Sequence, residues 1–290
     1  MSAVDKIRRR VRRSILYSFA RGTQLHLRNL RDSSRALPSF IVIGAQKAGT
    51  TSFYKNLATH PQILPAWTKE IHYFDQAERP SLDWYRAHFP TERELADIGG
   101  ITGEASPSYC LFPHLPKMIH QCLPTCKFIF LLRNPAQRAY STYQYNIRGG
   151  MTDISFQDWI DRDFARLAGR AIDQEMFAEL LSGGHSLENV PLALLRGVYV
   201  EQLKFWHAVV PKDQLLVLNS ADYFANPASV LRSVSTDFLK LDDHRFEYRK
   251  TRTEARSYPK VDEAAAHRLE EFYRPYNKKL TAYLGRDFGW

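Results

Sequence analysis

The 290-residue sequence predicts an α/β domain in three layers, a central parallel sheet flanked by helices, and three observations carry that reading. Phe40–Ile43 and Lys127–Leu132 are apolar at nearly every position, the pattern of strands buried on both faces. Each leads through a loop marked by Gly or Pro into a stretch with the apolar spacing of a helix, as parallel pairing requires. The composition, 44% hydrophobic and 24% charged with 14 Gly and 15 Pro, belongs to a globular chain long enough to bury one sizeable core.

The elements follow in order. Residues 1–37 form an arm, ended by Ser33-Ser34 and Pro38, and 38–290 form one domain. The first strand, Phe40–Ile43, passes through Gly44 to Gly49 into a helix over Thr51–Thr59. Ile101–Glu104 is a shorter strand. Lys127–Leu132 ends at Arg133-Asn134-Pro135, and a helix runs from Ala136 to about Ile147. Helical spacing recurs over Phe156–Ala168, Leu194–Val209, Ser229–Leu239 and Asp262–Tyr283, with a third continuous strand at Leu215–Leu218. The stretch 149–193 is the least legible, and Ser182-Gly183-Gly184 reads as an exposed loop.

Charge is concentrated in the arm. The net charge is +9, yet residues 1–37 hold ten Lys and Arg against Asp5 and Asp32, so the remainder is nearly neutral. A nucleic-acid binder would carry basic character on its folded part as well, so nucleic acid is not expected as a partner. A solvated tail is one reading of the arm. The other rests on Ile7, Val11, Ile15 and Phe19, spaced every four residues among arginines, which describes a basic amphipathic helix suited to an anionic membrane surface. Ile15–Ala20 is too short and mixed for a secretory signal, whereas an organellar transit peptide shares the Arg-rich composition. No run approaches the roughly 18 apolar residues of a spanning helix. Cys110, Cys122 and Cys126 suit neither a disulfide framework nor a zinc site, so no metal is expected, and reduced thiols fit a cytoplasmic chain with peripheral contact at the inner face of the membrane.

Two loops carry anion chemistry. In Gly44-Ala45-Gln46-Lys47-Ala48-Gly49-Thr50-Thr51, unpaired N–H groups and the positive dipole end at a helix start favour a phosphate, and Lys47 adds a formal charge. The loop is P-loop-like but departs from a Walker A motif, which places Lys directly before Ser or Thr; here Lys47 lies three residues before Thr50, which puts a Mg²⁺ arrangement in doubt. Arg133, at the end of a buried strand, is placed for a bidentate pair with a second phosphate, and Arg138 and Ser141 follow as i,i+3 neighbours on the next helix. Singly, these features also describe a Gly-rich turn and a salt-bridging arginine. Together, a cradle and a clamp on adjacent strands suit a nucleotide phosphorylated at two separate places.

The phosphate loop, Thr68-Lys-Glu70-Ile-His72-Tyr-Phe-Asp75, and Arg133-Asn-Pro-x-x-Arg-Ala-Tyr-Ser141 together resemble the PAPS-dependent sulfotransferases, most closely the heparan sulfate glucosaminyl branch and its bacterial relatives. Pro107-Ser-Tyr109, Arg196-Gly-Val-Tyr199 and the ending Gly285-Arg-Asp-Phe-Gly-Trp290 extend the resemblance over about residues 40–290. The resemblance implies a P-loop-like fold and PAPS as donor, with the 5′-phosphosulfate on Lys47, Ala48, Gly49, Thr50 and Thr51 and the 3′-phosphate on Arg133 and Ser141. A late nucleotide loop is matched by Lys250, Thr251, Arg252 and Thr253, where Thr251 and Glu254 depart from the family's Gly and His. Glu70 matches the catalytic base, in need of a pKa raised by burial. His72, on the same face if this stretch is extended, would orient Glu70 or act as base itself. Ala105 stands where heparan-type members often carry a lysine near the acceptor, which puts close acceptor similarity in doubt.

The leading expectation is a sulfotransferase acting on a hydroxyl of a carbohydrate or glycolipid. A Mg²⁺-dependent P-loop kinase, and a membrane-binding module with a vestigial nucleotide site, are the alternatives.

Overall fold

The computed structural model describes Arg28, residues 34–181, 192–251 and 258–290. Five strands form one sheet: β1 (Phe40–Gly44), β2 (Ile63–Pro65), β3 (Ile101–Ala105), β4 (Lys127–Leu132) and β5 (Leu215–Asn219). Their order is β2-β3-β1-β4-β5, and every neighbouring pair is parallel. The expected architecture is present, with helices packed on the central sheet. Phe40–Ile43 and Phe128–Leu132 are fully buried, which is why they read as continuous apolar runs.

Register explains one glycine. Phe40 lies opposite Gly103, and a Cβ on Gly103 would stand 2.4 Å from the Phe40 ring, so only glycine lets that ring lie against β3. β2 was not expected from the sequence: three residues at the sheet edge, the last a proline, carry too little pattern.

The helix expected over Thr51–Thr59 spans Thr50–Leu57, and that over Ala136–Ile147 spans Pro135–Gly149. Phe156–Leu167 and Glu263–Leu284 fall close to their expected bounds. Two long stretches are subdivided. Leu194–Val209 holds a 3₁₀ turn at Leu195–Gly197 before the helix Tyr199–His207, and the stretch expected at Ser229–Leu239 starts two residues earlier, as Pro227–Ser233 followed by a π turn at Val234–Phe238. Five short helices had no sequence-level expectation: Leu82–Arg86, Glu92–Asp97, Leu115–Cys122, Gln174–Leu181 and Ser220–Ala225. One carried a legible signal, because Thr91 and Glu94 form a reciprocal capping box.

The arm lies outside the described residues except at its end. Arg28 donates to the Ala87 and Phe89 carbonyls, and buried Arg35 donates to Phe89 at 2.7 Å. Arg28 and residues 34–36 therefore pack on the domain. Among the described residues no helix is long and apolar enough to cross a membrane.

Candidate functional site

Strand order determines where a site can form. From β1 the chain crosses to β2 and β3 on one side and then to β4 on the other, so the loops after β1 and β4 diverge at the C-terminal edge of the sheet. Crevices open at such switch points. Here the loops are tied together: Ala45 N–H bonds to the Leu131 carbonyl at 2.7 Å, and Arg133 Nη1 donates to the Lys47 carbonyl at 3.1 Å. A cavity of about 880 Å³ opens between them.

Eight of the predicted residues line this cavity together: Lys47, Gly49, Thr50, Thr51, Glu70, Arg133, Ser141 and Lys250. Gly49 caps the first helix at φ 93°, a left-handed conformation natural to glycine, and a Cβ there would meet the Phe224 ring at 2.6 Å. The helix Thr50–Leu57 therefore starts abruptly, with first-turn N–H groups that lack partners inside the helix. The second loop is held as firmly. Asn134 Oδ1 accepts the Gln137 N–H, Pro135 occupies the first helical position, and Tyr199 Oη donates to the Arg133 carbonyl at 2.8 Å.

The cavity is electropositive. Burial alone would raise the Tyr258 phenol, but hydrogen bonds from Arg148 and Ser141 and the charges of Lys47 and Arg148 outweigh it and bring the pKa below its ordinary value. Burial pushes the Arg133 guanidinium down, yet arginine stays cationic in proteins. Lys47 Nζ lies 4.4 Å from the centre of the Tyr145 ring, a cation–π contact at the cavity wall.

Some expectations need correction. Ala48 does not line the cavity: its N–H bonds to Ala45 and its carbonyl accepts Ser220 Oγ at 2.8 Å, so its amide is spent inside the turn. The Glu70 side chain is 47% exposed and paired with Lys69, so burial does not surround it as expected. The stretch holding Glu70 and His72 is not extended, with φ 60° and 55°, and the shared-face argument fails. His72 turns its Nδ1 to Asp75 at 2.9 Å and Ser108 at 3.2 Å, off the cavity. Burial opposes the imidazolium, but the bond to Asp75 and the charges of Asp75, Glu70 and Glu104 prevail and raise the His72 pKa. A raised pKa suits a cation that organises neighbouring carboxylates better than a free base. Arg138 is fully buried and donates to the Ala193 carbonyl, a structural role. Thr251 lies in an adjoining hollow with Lys55 and Arg249, and Arg252 and Thr253 lie outside the described residues.

Backbone strain supplies an independent pointer. Lys47, Glu70 and His72 are three of four described non-glycine residues at positive φ, Lys240 being the fourth. Each left-handed residue costs about 1–2 kcal/mol. Such strain gathers at functional sites, where the surrounding structure holds it. Sequence reasoning missed the aromatic walls, Tyr145, Phe224, Tyr248, Tyr258 and Trp290, which converge from distant segments and carry no local signature.

Comparison with known proteins is consistent with this geometry. The chain is 30% identical over 284 residues to heparan sulfate glucosamine 3-O-sulfotransferase 3A1 of Mus musculus, covering 90% of this chain and 66% of that protein's length. It is 28% identical over 279 residues to heparan sulfate glucosamine 3-O-sulfotransferase 6 of Homo sapiens, covering 88% of this chain and 74% of that one. The fold matches the crystal structure of a sulfotransferase from Alicyclobacillus acidocaldarius with TM-score 0.64 at 24% identity, over 87% of this chain and 97% of that one. Residues 37–274 match the family described as "Sulfotransferase domain", which decides against the kinase alternative. With the β1 and β4 loops opening on one electropositive cavity and residues 37–274 matching the family's model, the chain belongs to the sulfotransferase domain family.

Proposed function

We propose that this sulfotransferase moves a sulfuryl group from PAPS to a hydroxyl of a carbohydrate, with Glu70 as general base. The observation that carries the reading is that Glu70 lines the same cavity as Lys47, Gly49–Thr51, Arg133 and Ser141. The residues fit a donor with two phosphate groups. Gly49 leaves space that a Cβ would fill, the lowered Tyr258 phenol reports positive potential, and about 880 Å³ admits a nucleotide beside an acceptor. The helix start with Lys47 would hold the phosphosulfate end, and Arg133 with Ser141 the 3′-phosphate, while Lys250 lines the same cavity. When bound, the donor supplies the sulfuryl group and leaves as adenosine 3′,5′-bisphosphate.

The chain's own residues then do three things. Glu70 accepts the hydroxyl proton as the acceptor oxygen bonds to sulfur. Lys47 and the first-turn N–H groups meet the negative charge that collects on the departing phosphate as its bond to sulfur breaks, the preorganised kind of stabilisation that lowers a barrier most. His72, held by Asp75, has its imidazolium form favoured by the neighbouring carboxylates, Glu70 among them. The sugar acceptor is supported by the relatives' specificity; the nearly neutral domain and Ala105 favour an acceptor other than a long polyanion.

Glu70→Gln tests the reading. A positioned base contributes about 10²–10⁴-fold, so transfer to a panel of glucosamine oligosaccharides should fall by that much. Calorimetric binding of adenosine 3′,5′-bisphosphate in EDTA should persist. Retained transfer would remove Glu70 as base, and dependence of binding on Mg²⁺ would count against the donor assignment.

A further inference from the structure

Beneath Glu70 lies a buried acid that the proposed reaction does not use. Glu104, near the end of β3, is fully buried, and its carboxylate accepts the Tyr85 hydroxyl at 2.6 Å and the Ser106 hydroxyl at 2.7 Å, with Tyr109 at 3.4 Å. Two of these hydroxyls also reach the strained loop. Ser106 Oγ accepts the His72 N–H at 3.2 Å, and Tyr109 Oη accepts the Phe74 N–H at 3.2 Å. A third tie is direct, from the Glu70 N–H to the Ala105 carbonyl at 3.1 Å. The loop is thus stapled at residues 70, 72 and 74 to the segment 105–109.

We propose that Glu104 is a positioning residue that holds the Glu70 loop in its left-handed conformation through the hydroxyls of Ser106 and Tyr109. This rests on the reading of Glu70 as base. The chemistry lies in direction. A carboxylate offers only acceptor sites, so it turns the hydroxyl hydrogens of Ser106 and Tyr109 toward itself and leaves their lone pairs for the loop amides. A glutamine would present donors and reverse at least one hydroxyl; an apolar residue would leave both free to rotate. The backbone of Glu70 and His72, at φ 60° and 55°, would then relax toward ordinary conformations. Tyr73 is stacked on Tyr85 at 4.4 Å and Phe74 lies edge-on to Tyr109 at 5.8 Å, and all four rings are buried, away from bulk water. Burial, with the Asp75 charge, raises the Glu104 pKa above its ordinary value; the hydroxyls of Tyr85 and Ser106 and the charge of His72 offset only part of that and favour the carboxylate.

The test separates positioning from general stability. Ser106→Ala cuts the link between Glu104 and the His72 amide, and Glu104→Gln disturbs its polarity. Tyr54→Phe serves as the comparison, since its buried hydroxyl donates to the Gly103 carbonyl and accepts from Ala66 without touching the loop. Because small displacements of a reacting group can cost about a hundredfold, Ser106→Ala and Glu104→Gln should lower kcat about ten- to a hundredfold. The Kd for adenosine 3′,5′-bisphosphate should stay within about twofold, whereas Tyr54→Phe should lose comparable urea stability yet keep its kcat. Turnover is read on glucosamine oligosaccharides and, as a baseline, as PAPS hydrolysis with water as acceptor. Hydrogen exchange gives a readout independent of activity: the His72 and Phe74 amides should exchange faster in both loop variants and not in Tyr54→Phe. Unchanged kcat and unchanged exchange in Ser106→Ala would overturn the proposal, as would a kcat loss that merely follows stability across all three variants. If Glu70→Gln remains active while these amides lose protection, the base assignment has failed and the staple has not.

Discussion

Replacing Arg133 by alanine should detach the second phosphate site. One of its five N–H donors is committed to the Lys47 carbonyl, which aims the guanidinium from the end of β4 toward the cavity it lines. Two further donors can pair side by side with a phosphate. Hydrogen bonds to charged groups contribute about 1.5–3 kcal/mol each, so the pair is worth about 3–4 kcal/mol after allowing for overlap. At about 1.4 kcal/mol per factor of ten, the Kd for adenosine 3′,5′-bisphosphate should rise some hundred- to thousandfold. The Lys47 tether goes at the same time, so the loss should sit toward the upper end. Arg133→Lys keeps the charge without the planar fork and should recover less than half of that free energy. Isothermal titration calorimetry in EDTA measures all three proteins, and adenosine 5′-monophosphate, lacking the 3′-phosphate, should lose far less affinity in Arg133→Ala, only the part that the Lys47 tether contributes. An Arg133→Ala Kd within about threefold of wild type, with the fold intact by circular dichroism, would refute the clamp.

Other outcomes follow from the same geometry. Gly49→Ala forces a left-handed alanine and pushes against Phe224, so it should cost about 1–2 kcal/mol of stability and weaken bisphosphate binding; urea titration and calorimetry read both. His72 has a folded pKa above its unfolded one, so its stabilising contribution is complete below about pH 6.5 and fades as pH rises through the raised value. Urea midpoints should therefore differ more between wild type and His72→Gln at pH 6 than at pH 9, and a constant difference would deny the imidazolium its role. Deleting residues 1–27 spares Arg28 and the packed residues 34–36 and should abolish binding to phosphatidylserine vesicles in sedimentation without moving the melting temperature. Binding that survives the deletion would place membrane contact elsewhere.

What the sequence by itself determined is whatever local pattern carries: two fully buried strands, the helices after them, and two loops whose residue types suit phosphate. Continuous apolar runs announce β1 and β4 because both faces of those strands are covered, and Gly49 and Asn134-Pro135 announce helix starts because caps are local chemistry. Tertiary structure alone decided which residues meet. Strand order set the β1 and β4 loops side by side, and packing gathered Tyr145, Phe224, Tyr258 and Trp290 around them from stretches that share no pattern. It also spent the Ala48 amide inside a turn and left Glu70 exposed at a left-handed position. Residue identity fixes which protons and charges a side chain can carry. Its conformation and burial depend on neighbours distant in sequence, as with Glu104, a buried carboxyl group hydrogen-bonded to the loop of residues 70–75 through a hydroxyl the fold brings beside it.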